Sequence, residues 1–266
     1  MINCDRHQSC PIYENAPATG RVSIFSRKCI RDYSEVALLA FLLLISVLGV
    51  SGQSTDAVTQ LNPGVSVGIE INKKVRLDLS SGREKSDELN SAKWKLTVGA
   101  SFRMKPLFTP FKDDADSDKQ HIFVIGTAYE YSRASQNGEE SIEHRLMLDG
   151  TGRYNFPGKL LLSDRNRVEF RWVNSSYRFR YRNRLMLERP LRLRKFTVTP
   201  FASAEAYWDQ HYSQWNKYEF SGGVEIPLIR RSSLNLYYTR ERCLTCSDLN
   251  TNIFGIEFKV FFRRKK

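Results

Sequence analysis

Apolar and polar residues alternate position by position through segment after segment of this chain. In "KWKLTVGASFRMK" Trp94, Leu96, Val98, Ala100, Phe102 and Met104 hold one parity, and Lys93, Lys95, Thr97, Ser101, Arg103 and Lys105 hold the other. "SIEHRLMLDGTGRYN" sets Ile142, Leu146, Leu148 and Tyr154 against Glu143, Arg145, Asp149, Thr151 and Arg153. "RVEFRWV", "YRFRYRNRLMLER", "FTVTPFASAEAYW", "NKYEFSGGVEI" and the closing "NIFGIEFKVFF" repeat the pattern. A period of two belongs to β-strands with two unlike faces. Many of these segments run 9 to 13 residues, longer than the roughly 5–6 of ordinary globular strands. They match the roughly 9–11 residues that cross a bilayer at a tilt.

Turn-forming residues punctuate the pattern at Asn72, Asn155, Asn174, Arg189, Asp209, Pro227 and Arg242. Pro200 falls inside a strand and predicts a bulge or weak pairing there. Eleven candidate strands follow from Val65 onward. Closed single-chain bacterial barrels usually have an even number. Val65–Leu79 keeps one parity throughout, so its two short strands are open to a second reading as one long one, giving ten; a further strand before Val65 would give twelve. The fold expected is all-β, a closed antiparallel transmembrane β-barrel of about 10–12 strands. The acidic connection "KPLFTPFKDDADSDKQ" lacks the ligand spacing of an EF-hand and reads as a disordered loop rather than a calcium site.

Upstream, "VALLAFLLLISVLGV" (Val36–Val50) is the only long uncharged apolar run. Arg27, Lys28 and Arg31 precede it and Ser51 and Gly52 follow, the layout of a secretory signal peptide. Its 15 residues fall short of the roughly 20 of a membrane-spanning helix. The division expected is a leader with signal peptide over 1–52, exported through the Sec pathway, and a barrel domain over 53–266. Two readings of residues 1–35 stay open: a true start downstream of Met1, near Val22, or an unusually long leader. Cys4, Cys10 and Cys29 fall in the leader, which leaves Cys243 and Cys246, the "CLTC" pair, as an expected disulfide in an oxidising compartment.

The whole chain carries 41 Lys+Arg and 29 Asp+Glu, and loss of the leader's 5 basic and 4 acidic residues leaves +11. For an exported chain that surplus points to an anionic lipid surface or acidic solute, not to nucleic acid. The low mean hydropathy excludes a helical membrane protein and leaves a barrel open, because half of each barrel strand is polar.

Four segments carry a family resemblance: "RYRNRLMLERP" from Arg180, "VTPFASAEAYWD" from Val198, "WNKYEFSGGVEIPL" from Trp215 and the closing "NIFGIEFKVFF". "VGIEINKKVRLDLSSG" near Val67 looks like the family's opening hairpin. Together they resemble a group of Gram-negative outer-membrane barrels catalogued as domain of unknown function 2490. The resemblance implies a barrel in the outer membrane and no known activity. The sequence departs from the barrel pattern at its end, where Arg263, Arg264, Lys265 and Lys266 follow Phe262 in place of a terminal aromatic residue. Partners expected of a chain in that place are outer-membrane lipid and lipopolysaccharide, the barrel-assembly machinery and an anionic solute.

The segment Tyr177–Arg189 sharpens the functional question. In a barrel, Tyr177, Phe179, Tyr181, Leu185 and Leu187 face lipid, and Arg178, Arg180, Arg182, Arg184 and Glu188 face the lumen with Glu169, Arg171 and Glu205. Such a ladder either salt-bridges into a plug or forms a constriction that favours anions. A lipid A or phospholipid-modifying hydrolase is an alternative, with His211 and Ser213 of "HYSQ" and Glu225 as its base, nucleophile and acid. Gln214 stands where those hydrolases carry asparagine. A soluble periplasmic β-protein with its apolar face inward, binding an acidic ligand, is another. No cofactor or metal site is expected. On the barrel reading, Phe258→Arg places a charge on the lipid face at a cost of about 2–4 kcal/mol. We expect it to abolish the heat-dependent gel mobility shift of the folded barrel.

Overall fold

The computed structural model describes residues 57–104, 106, 117–193, 196–228, 231–246 and 250–263. The leader with Cys4, Cys10 and Cys29, most of the acidic connection, and residues 264–266 lie outside the described residues. The long alternating segments become strands β1 (Val58–Glu70), β2 (Val75–Ser86), β3 (Ser91–Arg103), β4 (Phe123–Gln136), β5 (Glu139–Phe156) and β6 (Leu160–Val173). β7 (Ser176–Glu188), the short β8 (Leu191–Leu193), β9 (Phe196–Asp209), β10 (Gln214–Pro227), β11 (Ser232–Cys243) and β12 (Asn250–Arg263) complete the set.

Eleven of these strands form a closed ring in chain order, with β9 following β7, while β8 pairs only with the start of β9. Neighbours run antiparallel except at closure, where β12 lies parallel to β1 from Val58↔Thr251 to Glu70↔Arg263. The parallel seam is a consequence of odd count, since an up-and-down chain of eleven strands begins and ends in the same direction. The expected all-β closed barrel of 10–12 strands is therefore observed, with an odd count of eleven. Val65–Leu79 is two strands: Asn72 Oδ1 accepts from the Lys74 and Val75 N–H groups at 2.8 and 2.9 Å and turns the chain. Nor, among the described residues, does a separate strand precede Val65; β1 itself reaches back to Val58.

Turn chemistry sets the other hairpins. Asn137 and Gly138 have φ of 53° and 86°, the paired left-handed conformation of a two-residue hairpin matched to strand twist. Pro200 lies in continuous register with Val224 of β10, and the only irregularity in that ladder is between Trp215 and Lys217. On the other side the β7 ladder stops at Phe201, beside the proline that has no N–H to donate.

The apolar parity of the strands lies on the outside of the ring. Leu61, Val65, Val98, Leu148, Tyr177, Leu185, Phe220, Phe254 and Phe262 are exposed on the outside. Among the described residues the buried set holds eight apolar and twenty-one polar or charged side chains, the reverse of a water-soluble core. Among the described residues the one buried apolar cluster is Leu161 with Ile122 packed against it. The soluble alternative needs the apolar faces to meet inside, and here they lie on the outside of the ring.

Up-and-down order places the β3–β4 connection and the end of β12 at one rim, and the Cys243–Cys246 hairpin at the other. The end of the long connection departs from expectation. Ser117–Gln120 forms a 3-10 turn whose Asp118 and Lys119 are buried, so at least this part is built into the barrel and not a disordered loop.

Tyr237 of β11 faces inward and lies across Gly255, its register partner on β12, so a methyl group at that glycine would overlap the ring. Gly255→Ala should therefore destabilise the barrel by about 1–3 kcal/mol, as overpacking does. Adding Tyr237→Ala should recover much of the loss, read by urea unfolding of the barrel in detergent micelles.

Candidate functional site

The inner faces of β6 and β7 oppose like charges. In register, Arg165 faces Arg184, Arg167 faces Arg182 and Arg171 faces Arg178; only Glu169 against Arg180 pairs opposite charges. Like charges directly across a ladder destabilise it. The fold offsets this with carboxylates from the strands on either side. From β5, Asp149 takes both ends of Arg167 at 2.6 and 2.9 Å, a bidentate pair. Glu143 accepts from Arg171 at 2.5 Å and from Arg145 at 2.9 Å. From β9, Asp209 holds Arg180 at 2.8 Å. Glu205 is shared among Arg182 at 2.9 Å, Arg165 at 3.0 Å and Arg184 at 4.0 Å. Glu169, 0% exposed, sits 2.8 Å from Arg182 and 3.8 Å from Arg145.

Tyr207 extends the network. Its hydroxyl accepts from Arg182 at 2.8 Å, and the Arg182 and Lys217 cations lie 4.4 and 4.6 Å from its ring centre. Such cation–π contacts strengthen where water is excluded. Lys217 also pairs with Glu241 at 2.6 Å and Glu219 at 2.9 Å.

The turn Ser117–Gln120 bridges the barrel at one rim. Asp118 pairs with Arg103 of β3 and, at 2.7 Å, with Arg76 of β2. Lys119 reaches Glu225 of β10 at 3.0 Å and Glu188 of β7 at 3.3 Å. Adjacent residues of one turn thus tie the β2–β3 wall to the β7 and β10 walls.

The salt bridges do not fill the lumen. Two cavities of about 670 and 550 Å³ remain, and Lys95, Glu130, Arg153, Arg165 and Arg167 border both. The larger is lined by thirteen cationic and eight carboxylate side chains. Within it Arg165 and Arg184 share one carboxylate, Glu205. Their Nε donors are buried with no hydrogen-bond partner among the described residues.

The sequence matches a family model described as a protein of unknown function, DUF2490, over residues 86–244. The chain belongs to the DUF2490 family. No curated protein matches it. Among solved structures it is similar to the β-domain of the Bordetella autotransporter BrkA, at 14% identity and a TM-score of 0.46, covering 70% of this chain and 82% of that one. It is also similar to the translocator domain of the autotransporter NalP from Neisseria meningitidis, at 13% identity and a TM-score of 0.42, covering 84% of this chain and 94% of that one.

In this DUF2490 chain the ladder residues fall together on the inner wall, save that Arg178 has no ion pair among the described residues. Several members of the network were not singled out by the sequence reading. Arg165 extends β6 beyond the quoted segment. Asp209 looked like the first residue of a turn, although the parity of Glu205 and Tyr207 already pointed it inward. Lys119 and Asp118 carried no signal, because a connection has no periodicity. Cys243 and Cys246 are disulfide-bonded, with Cα atoms 5.5 Å apart, at the β11–β12 hairpin.

The proposed hydrolase residues are not brought together. His211 and Ser213 lie in the β9–β10 turn, with the Ser213 hydroxyl donating to the Gln210 carbonyl at 3.3 Å and His211 against the Tyr212 ring. Glu225 is twelve positions further along β10, roughly 40 Å at strand rise. It faces inward and accepts from Ser233 at 2.7 Å.

Glu169→Gln removes a buried negative charge from between Arg182 and Arg145. Breaking a buried pair on one side costs about 3–5 kcal/mol. Unfolding in detergent should show that loss for Glu169→Gln, while Arg178→Ser should stay within about 0.5 kcal/mol of the parent.

Proposed function

We propose that this chain is an outer-membrane barrel, exported by its leader, whose arginine-rich lumen admits and binds small anionic solutes. The reading joins two supports. The apolar exterior and the 12- to 18-residue ring strands fit a bilayer. The pair Arg165 and Arg184, facing one another with one shared carboxylate and buried unpartnered Nε donors, favours an anion in the cavity they border. A carboxylate or phosphate group would give those two Nε donors an acceptor, and guanidinium planes suit both. Binding is proposed, with no chemistry on the bound solute.

The Ser117–Gln120 turn stands across one rim, held by Asp118 and Lys119. Passage therefore requires that turn to move, and the resting barrel is expected to conduct little. Purified chain in planar bilayers tests both halves of the reading. We expect small, infrequent openings with anion preference in a potassium chloride gradient. Arg165→Ser with Arg184→Ser should reduce that preference at least threefold, and Lys119→Ala should raise the open fraction. Cation preference, or anion preference indifferent to the arginine pair, would overturn the proposal.

A further inference from the structure

The outer wall contains polar groups where lipid should be. By strand parity Asp164 and Asn166 of β6 point outward with Leu162, Val168 and Phe170, and Asn183 of β7 points outward with Tyr181, Leu185 and Leu187. Asn166 and Asn183 are register partners, seventh of the fourteen residues of β6 and eighth of the thirteen of β7. They sit at mid-strand, far from either rim. Asn183 Nδ2 donates to Asp164 Oδ1 at 2.7 Å and to Asn166 Oδ1 at 3.0 Å, and the Tyr181 hydroxyl donates to Asn166 Oδ1 at 2.5 Å.

These bonds use both amide hydrogens of Asn183 and the hydroxyl hydrogen of Tyr181. They leave the two amide hydrogens of Asn166, the carbonyl of Asn183 and the second oxygen of Asp164 without a hydrogen bond among the described residues. Hydrocarbon satisfies none of them, and polar groups at that depth are costly and rarely without a role. Phospholipid head groups lie at the interfaces, too far away to serve.

The surroundings are shaped for close approach. Gly150 lies opposite Asn166 and Gly152 opposite Asp164 on β5, while Ala206 lies opposite Asn183 and Ala204 opposite Leu185 on β9. A Cβ added at Gly152 would meet nothing within 4 Å. Small residues beside polar ones are what lets two membrane-embedded surfaces approach and exchange hydrogen bonds. The patch carries free donors and free acceptors side by side, so it complements itself. Across a twofold axis the Asn166 amide of one copy would meet Asp164 or Asn183 of a second.

We propose that the outer face of β6 and β7, centred on Asp164, Asn166 and Asn183, is the interface of a homodimer in the membrane. The proposal rests on the membrane reading above. The test is the dimer fraction of the full chain in lipid vesicles, measured by energy transfer between separately labelled copies. The parent should dimerise. The triple variant Asp164→Leu, Asn166→Leu, Asn183→Leu should weaken association at least tenfold while keeping the heat-dependent mobility of a folded barrel. Gly152→Phe keeps the polar groups, projects into open space and should weaken association equally, which covers failure of the triple variant to assemble. Ser81→Leu on the distant β2 wall should leave the dimer unchanged. A folded parent that is monomeric, or a dimer indifferent to both interface variants, overturns the proposal alone. So does a monomer that instead retains a different membrane protein through this face. Recovery of the chain as a water-soluble species overturns the membrane reading as well.

Discussion

A β-sheet has no unpaired edge only when it closes on itself, and the rest of this structure depends on how that ring closes. Eleven strands close it through a parallel β1–β12 ladder running the length of both strands. Because the count is odd, the start of β1 and the end of β12 lie at opposite rims. Parallel pairing is somewhat weaker per residue than antiparallel, and the seam is reinforced from its flanks. Phe261 of β12 packs at Gly68, its partner on β1, and Tyr237 of β11 lies over Gly255. Glycine at these positions makes room for aromatic rings to lie along the inner wall.

Closure then determines the character of the lumen. Once the apolar parity of every strand faces outward, all the charge of the opposite parity is confined to one narrow space. On β6 and β7 this sets arginine against arginine, an arrangement untenable for an isolated hairpin. It persists because β5 and β9 deliver Asp149, Glu143, Glu205 and Asp209 to its edges. The charge pairs are therefore properties of four neighbouring strands and not of any one. The same confinement leaves a small positive surplus around Arg165 and Arg184, on which the functional reading turns.

Asn183 interrupts the outer face of a strand that otherwise presents Tyr177, Phe179, Tyr181, Leu185 and Leu187. Taken along β7 alone it is a minor break in a pattern. Beside Asp164 and Asn166 on the neighbouring strand it becomes a hydrogen-bonded cluster at mid-depth. The significance of one polar residue thus depends on its cross-strand neighbours, which periodicity cannot supply.

Alternation, segment length and turn residues were enough to establish the barrel, the direction each side chain faces and the inward ladder from Arg180 to Glu188, because those follow from the pleat of a single strand. They were also enough to single out Cys243 and Cys246 as near neighbours. They did not decide the strand number, since Val65–Leu79 keeps its parity through a turn and only hydrogen-bond closure shows two strands there. They did not place Asp118 and Lys119 in the lumen, because an aperiodic connection gives no sign of which wall it will reach. Nor could they pair Arg182 with Glu169 and Glu205. Register and ring closure set which charges meet, and these arise only when strands far apart in the chain are brought side by side.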